Sequence, residues 1–151
     1  MTEAEYDTMM DINVKAVYFV AQAAARRMAA RGHGVIINLS SVAGLQGTGN
    51  VALYCATKGA VRLLTYSIAQ ELGPRGIRVN ALHPGFVETT MTTVDVPVVG
   101  TEYGDQLIAE NPLGRAAQPA DIANGALFLA SDLSSYVNGA SLSIDGGMLR
   151  I

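Results

Sequence analysis

Tyr54 and Lys58 stand four residues apart in the stretch Asn38–Lys58, N-L-S-S-V-A-G-L-Q-G-T-G-N-V-A-L-Y-C-A-T-K. A helix begins there, so the spacing sets both side chains on one of its faces. Thirteen residues before the tyrosine, Ser41 ends an apolar run that reads as a strand. A free phenol has a pKa of about 10 and is a poor acid or base at neutral pH. A lysine ammonium nearby favours the phenolate and lowers that value. A hydroxyl such as that of Ser41 can bind a carbonyl oxygen as charge develops on it. Together the three residues can move a proton onto or off the oxygen of a carbonyl/alcohol pair.

The string Y-x-x-x-K alone is weak and arises by chance in many helices. A longer series runs in order: Gly34-Val-Ile-Ile-Asn-Leu-Ser-Ser, Tyr54-Cys-Ala-Thr-Lys-Gly, Arg78-Val-Asn-Ala, Pro84-Gly85 and Asp145-Gly146-Gly147. With these motifs the chain resembles the short-chain dehydrogenase/reductase family over nearly its whole length. The resemblance implies hydride transfer between a nicotinamide cofactor, NAD or NADP, and a small-molecule carbonyl or secondary alcohol. It makes Tyr54 the acid/base, has Lys58 lower the tyrosine pKa and bind the ribose, and has Ser41 orient the carbonyl. The family's P-G-x-V/I-x-T is matched by Pro84, Gly85, Val87 and Thr89, and it implies that the Val87 backbone and the Thr89 hydroxyl hold the nicotinamide carboxamide. It also implies that Asn13, in the context N-V-x-x-V-x-F, holds a water in a proton relay to Lys58. From the residues alone, Asn13 reads as a buried amide satisfied by backbone groups.

These side chains need a scaffold. Thr2 and Glu5 form a capping box, and Gly32 closes a long helix, acidic at its start and basic at its end (Arg26, Arg27, Arg31), as the helix dipole prefers. Met9, Val17, Val20, Ala24 and Met28 have helical spacing and mark its expected buried stripe. Residues 34–40 read as a parallel strand buried on both faces and central in its sheet. Val51–Leu72 reads as a helix with Ala60, Leu64, Ile68 and Leu72 along its inner ridge, stopped by Gly73-Pro74. Residues 77–82 read as a second buried strand. A polar stretch with Pro84, Gly85, Pro97 and Gly100 reads as irregular and mobile. Helices are expected over 102–110 and from Pro119, with Ile122, Ala126 and Leu129 inward. Asn138-Gly139 turns the chain into a last strand, 140–144.

Strands alternating with helices specify an α/β fold, a partial doubly wound, Rossmann-like parallel sheet in one domain over residues 1–151. Such a fold comprises two βαβαβ halves, the first carrying the phosphate-binding glycines. Measured against the family, that first half has no counterpart, on the order of 100 residues if each βαβ unit takes roughly 30. Gly47-Thr48-Gly49-Asn50-Val51-Ala52 fits G-x-G-x-x-A but lies too far beyond the strand, so it reads as a loop crossing over substrate.

Half of the 151 residues are hydrophobic and the net charge is −3, without a basic run, which argues against nucleic acid as a partner. The single cysteine, Cys55, excludes an internal disulfide and suits the cytoplasm; beside Tyr54 it reads as a small helix residue packed inward. No apolar run reaches the roughly 18 residues of a membrane span, and no signal peptide is visible. Neither His33 nor His83 is placed as a recognisable partner for a thiol, and two histidines without clustered carboxylates or cysteines make no metal site. The resemblance implies a homo-oligomer, a dimer or tetramer, paired through helices 1–31 and 51–72. The alternative is a non-catalytic remnant acting as a protein-interaction module.

Overall fold

A computed structural model describes residues 1–149. Thr2 and Glu5 form the expected reciprocal capping box, opening α1 (Glu3–Met10). That helix does not run straight on. It passes through a π-helical turn, Asp11–Lys15, where the Ala16 N–H bonds back to the Asp11 carbonyl, and then continues as α2 (Ala16–Ala29). The extra residue of a π turn rotates all that follows by roughly 100°. Of the expected stripe, Met9, Val17, Ala24 and Met28 are half-buried, Ala24 and Met28 against the core, whereas Val20 is 69% exposed and its neighbour Ala21 is buried instead.

Three strands form a parallel sheet in the order β1-β2-β3: β1 (Gly34–Leu39), β2 (Ile77–Pro84) and β3 (Ser141–Ile144). β1 pairs with β2 from Gly34↔Ile77 to Leu39↔Leu82, and β2 with β3 from Ala81↔Ser141 to Pro84↔Ile144. β1, expected in the middle, has β2 as its one neighbour among the described residues, and Leu39 at its end is half exposed.

Side chains alternate across a pleated strand. One face of the sheet (Ile36, Ile77, Val79) packs against Ala21 of α2 and Ala69 and Leu72 of α3 (Ala52–Leu72). The other face receives α5 (Pro119–Ala130), whose Gly125 lies against Ile144 and Leu82. Pro119 opens α5, and its N-terminus is closed by a capping box between Gln118 and Asp121. Arg115 grips the same carboxylate with two bonds, 2.7 and 3.1 Å. These bonds, the arginine's first, hold the Asp121 pKa at about 2.

The inner ridge of α3 is only partly the expected one: Leu72 is in the core and Ile68 packs against it. Thr57, Val61, Thr65, Ala69 and Leu72 are buried, while Ala60, Leu64 and Ile68 are half-buried. Threonine is tolerated inside because its hydroxyl finds partners: that of Thr65 donates to the Val61 carbonyl at 2.8 Å and accepts from Asn38 Nδ2 at 3.0 Å. Between β2 and α5, the stretch that reads as irregular contains a π turn (Met91–Asp95), and α4 (Glu102–Glu110) forms over the residues expected to be helical. No helix among the described residues is long and apolar enough to cross a membrane.

Candidate active site

The carboxyl ends of β1 and β2 open into a cleft of about 650 Å³. Ser41, Tyr54, Lys58, Pro84, Gly85, Val87 and Thr89 all line it. Ser41 leaves β1 with extended backbone (φ −169°, ψ 163°) and caps a short 3-10 turn, Val42–Gly44, its Oγ accepting from the Ala43 N–H at 3.2 Å. Gly44 sits where a Cβ would come within 2.7 Å of the Lys58 carbonyl. A side chain there would push the Ser41 turn off α3. The same carbonyl accepts the Ser40 hydroxyl at 2.8 Å.

Lys58 Nζ reaches back to the Leu39 carbonyl at 3.2 Å and lies 5.6 Å from the centre of the Tyr54 ring. With Asn38–Thr65, three side-chain ties thus bind the end of β1 to α3. They fix Ser41 relative to Tyr54.

The electrostatics differ from the sequence expectation. Burial raises the Tyr54 pKa above 10.0, the Ser41 hydroxyl lowers it and Cys55 adds a smaller upward push. Lys58 faces the ring rather than the phenol oxygen, and its own pKa is lowered by burial. The phenol therefore stays protonated at neutral pH, as a proton donor must be. Cys55 is half-buried, its sulfur 4.0 Å from the Thr48 carbonyl.

Beyond β2, Gly85 N–H donates to the Ile144 carbonyl at 3.0 Å, and a Cβ on Gly85 would come 2.8 Å from Asp145 Cα. Only glycine lets the end of β3 lie so close. Phe86 and Glu88 then bond to Ala117 in a parallel bridge, at 2.9 Å each. The bridge turns Val87 the other way, and its carbonyl accepts the Thr92 hydroxyl at 2.7 Å. The Thr92 oxygen in turn accepts from the Thr89 N–H at 3.0 Å.

Asn13 stands apart from the cleft. It lies in the π turn and donates from Nδ2 to the Thr57 hydroxyl at 3.2 Å, one residue before Lys58 on α3. Its amide has a side-chain partner, not the backbone partner the residues suggest.

His83, passed over in the sequence, is wholly buried on β2, with Nδ1 2.8 Å from the Ser41 carbonyl and Nε2 2.8 Å from Ser141 Oγ. The signal was an imidazole closing an otherwise apolar buried strand end, where it must find polar partners.

Comparison with known proteins adds four matches. A family profile described as enoyl-(acyl carrier protein) reductase matches residues 1–149. The chain is 45% identical over 143 residues to a 3-alpha-(or 20-beta)-hydroxysteroid dehydrogenase of Mycobacterium bovis, covering 95% of this chain and 52% of the relative. It is 43% identical over 148 residues to a 3-oxoacyl-(acyl-carrier-protein) reductase of Staphylococcus aureus, covering 98% of this chain and 58% of that one. A crystal structure of a gluconate 5-dehydrogenase from Burkholderia cenocepacia, in complex with NADP and tartrate, superposes with a TM-score of 0.93 at 40% identity. That match covers 98% of this chain and 57% of the other. The chain spans about half the length of the curated relatives it matches.

Proposed function

Because the chain belongs to the short-chain dehydrogenase/reductase family, we propose that it carries the proton-transfer and nicotinamide end of an NAD(P)-dependent oxidoreductase site. Its substrate is a small molecule with a ketone or secondary alcohol. The observation that carries this reading is the meeting of Ser41, Tyr54 and Lys58 on one cleft at the strand ends, where ligands bind in open α/β sheets.

The residues fit the nicotinamide end of the cofactor. Pro84, Gly85 and Phe86 form a wall close to the end of β3. Val87 and Thr89 beyond it offer the backbone and hydroxyl that an amide group needs, and Lys58 offers an ammonium for ribose hydroxyls. When bound, the cofactor supplies or accepts the hydride. In the reducing direction the Ser41 hydroxyl donates a hydrogen bond to the carbonyl oxygen, and Tyr54 gives up its Oη proton as negative charge grows there. In the oxidising direction Tyr54 takes that proton back. Asn13 supports proton resupply near Lys58. Among the described residues no strand runs directly into a glycine turn and helix, so the pyrophosphate end finds no cradle. In this reading the protein works in the cytoplasm as a homo-oligomer.

The test follows NAD(P)H oxidation across a panel of ketones, for the 151-residue chain alone and co-expressed with the preceding part of the hydroxysteroid dehydrogenase relative. Turnover is expected in the complex. Tyr54→Phe should lower kcat by roughly 10²–10⁴-fold and leave cofactor affinity nearly unchanged, since the ring packs the same way. A Tyr54→Phe variant within tenfold of the parent refutes the assignment of the proton donor. No turnover with any ketone favours the non-catalytic module.

A further inference from the structure

We propose that His83 is a positioning residue for Ser41, locked in its Nδ1–H tautomer by a hydrogen-bonded chain that starts at Tyr66. The proton positions follow from one fact. The Ser41 carbonyl can only accept, so the bond of 2.8 Å places the proton on His83 Nδ1. In the neutral ring Nε2 is then an acceptor, so the Ser141 hydroxyl donates to it across 2.8 Å. Ser141 has spent its one proton, and the Tyr66 phenol must donate to Ser141 Oγ across 2.6 Å. Tyr66, Ser141, His83 and Ser41 thus form a line with one direction, each proton fixed by the acceptor at its end.

The surroundings keep the ring neutral. Burial lowers the His83 pKa most, the Ser41 carbonyl raises it, and the positive charge of Arg62 lowers it again. On α3, Arg62 acts on the charge of the ring and Tyr66 ends the hydrogen-bonded line, while Tyr54 and Lys58 line the cleft with Ser41. β1, β3 and the turn Val42–Gly44 carry no charged or titratable group. α2 meets the sheet at Ile77 and Val79, the other end of β2, and Asp121 on α5 is committed to Arg115.

The consequence falls on Ser41. Its carbonyl accepts from His83 and from the Gly44 N–H at 2.9 Å, and its Oγ accepts from the Ala43 N–H. With both carbonyl lone pairs used and the backbone held extended, the hydroxyl proton is left to point toward Tyr54 and the substrate oxygen. His83 touches neither substrate nor cofactor in this scheme and acts through the Ser41 backbone. The functional half of the inference rests on the oxidoreductase reading above, while the tautomer does not.

The experiment has two arms. First, the full 151-residue chain carrying ¹⁵N-histidine is studied by magic-angle-spinning NMR of sedimented protein, which works whatever the assembly state. His83 should show a protonated Nδ1 and a bare Nε2 at neutral pH. Ser141→Ala and Tyr66→Phe should each weaken the lock. A proton on Nε2, or on both nitrogens, overturns the proposal. Second, in the complex assay described above, His83→Leu should lower kcat roughly tenfold, the effect of about one lost hydrogen bond, with cofactor KM unchanged. His83→Asn, whose amide can donate to the same carbonyl, should recover most of the rate. If His83→Leu leaves kcat unchanged, or His83→Asn is as slow as His83→Leu, the positioning role is wrong. Should His83→Leu fail to fold, Ser141→Ala takes its place, with a several-fold fall in kcat expected and an unchanged kcat overturning the role. An active Tyr54→Phe would sink the reading of the site while leaving the tautomer result standing.

Discussion

Thr65→Val tests whether the ties between β1 and α3 hold the site together. The substitution keeps shape and volume and replaces one buried hydroxyl by a methyl. Two bonds disappear: the one from Asn38 Nδ2 at 3.0 Å and the one to the Val61 carbonyl at 2.8 Å. The Val61 carbonyl lies within a helix and keeps a backbone partner, so that loss costs about 0.5–1.5 kcal/mol. Asn38 is buried, at 6% exposure, and its stranded donor adds about 1–3 kcal/mol. The total of roughly 2–4 kcal/mol lowers Tm by roughly 5–15 °C for a chain of this size. Asn38→Leu alone should also be costly, but the pair Asn38→Leu/Thr65→Val should cost less than the sum of the singles, because neither partner is then left unpaired. The assay is urea denaturation of all four proteins at one protein concentration, since assembly shifts apparent stability. If Thr65→Val stays within about 0.5 kcal/mol of the parent, or the cycle is additive within that margin, these bonds are not what fastens β1 to α3.

Three further outcomes are expected. In the free folded chain Tyr54 should titrate above 10.0, and Ser41→Ala should move it higher, because burial raises the value and the serine hydroxyl opposes it. This group's share of stability is complete below the unfolded phenol value and is lost as pH rises through the folded one; ultraviolet difference titration against Tyr54→Phe reads both effects, and a value below 10.0 refutes them. Leu63→Glu with Phe19→Glu should shift the assembled protein toward monomer in light scattering, since both side chains are exposed, at 60% and 56%, on the helices expected to pair; an unchanged mass would move the interface elsewhere. The 151-residue chain alone should self-associate and bind NAD(P)H weakly, because β1 leaves one edge unpaired among the described residues and an open strand edge recruits other chains. A sharply melting monomer with micromolar affinity contradicts that.

Much of the site was legible because it lies in local strings. Tyr54 and Lys58 share a helix turn, Ser41 ends an apolar run, and Pro84-Gly85 follows a buried strand. What failed were inferences about phase and company. Along the first helix Ala21 goes inward and Val20 outward, one position off the expected stripe, whose Ala24 and Met28 do pack on the core. The inner ridge of α3 was assigned to its aliphatic residues, yet Thr57 and Thr65 go inside because their hydroxyls have partners. The damped acidity of Tyr54 was equally invisible: spacing puts Lys58 beside the ring, but only the fold reveals that its ammonium lies over the ring and that burial dominates. His83 went unassigned because its partners, Ser41 and Ser141, lie 42 and 58 residues away along the chain.

β3 is short, but its place in synthesis gives it a further meaning. The ribosome delivers Ser41, Tyr54, Lys58 and His83 well before Ser141–Ile144 and Asp145. Until that last described strand emerges, His83 has no Ser141 to define its proton and Gly85 has no Ile144 carbonyl to bond. At about 5–20 residues per second the interval lasts seconds, far longer than helix formation or collapse. The nascent chain can thus hold α3 folded against the first two strands with its cleft unfinished. Premature termination or proteolysis within residues 141–145 would leave the helix content almost unchanged while removing the partners of His83 Nε2 and of the Gly85 N–H.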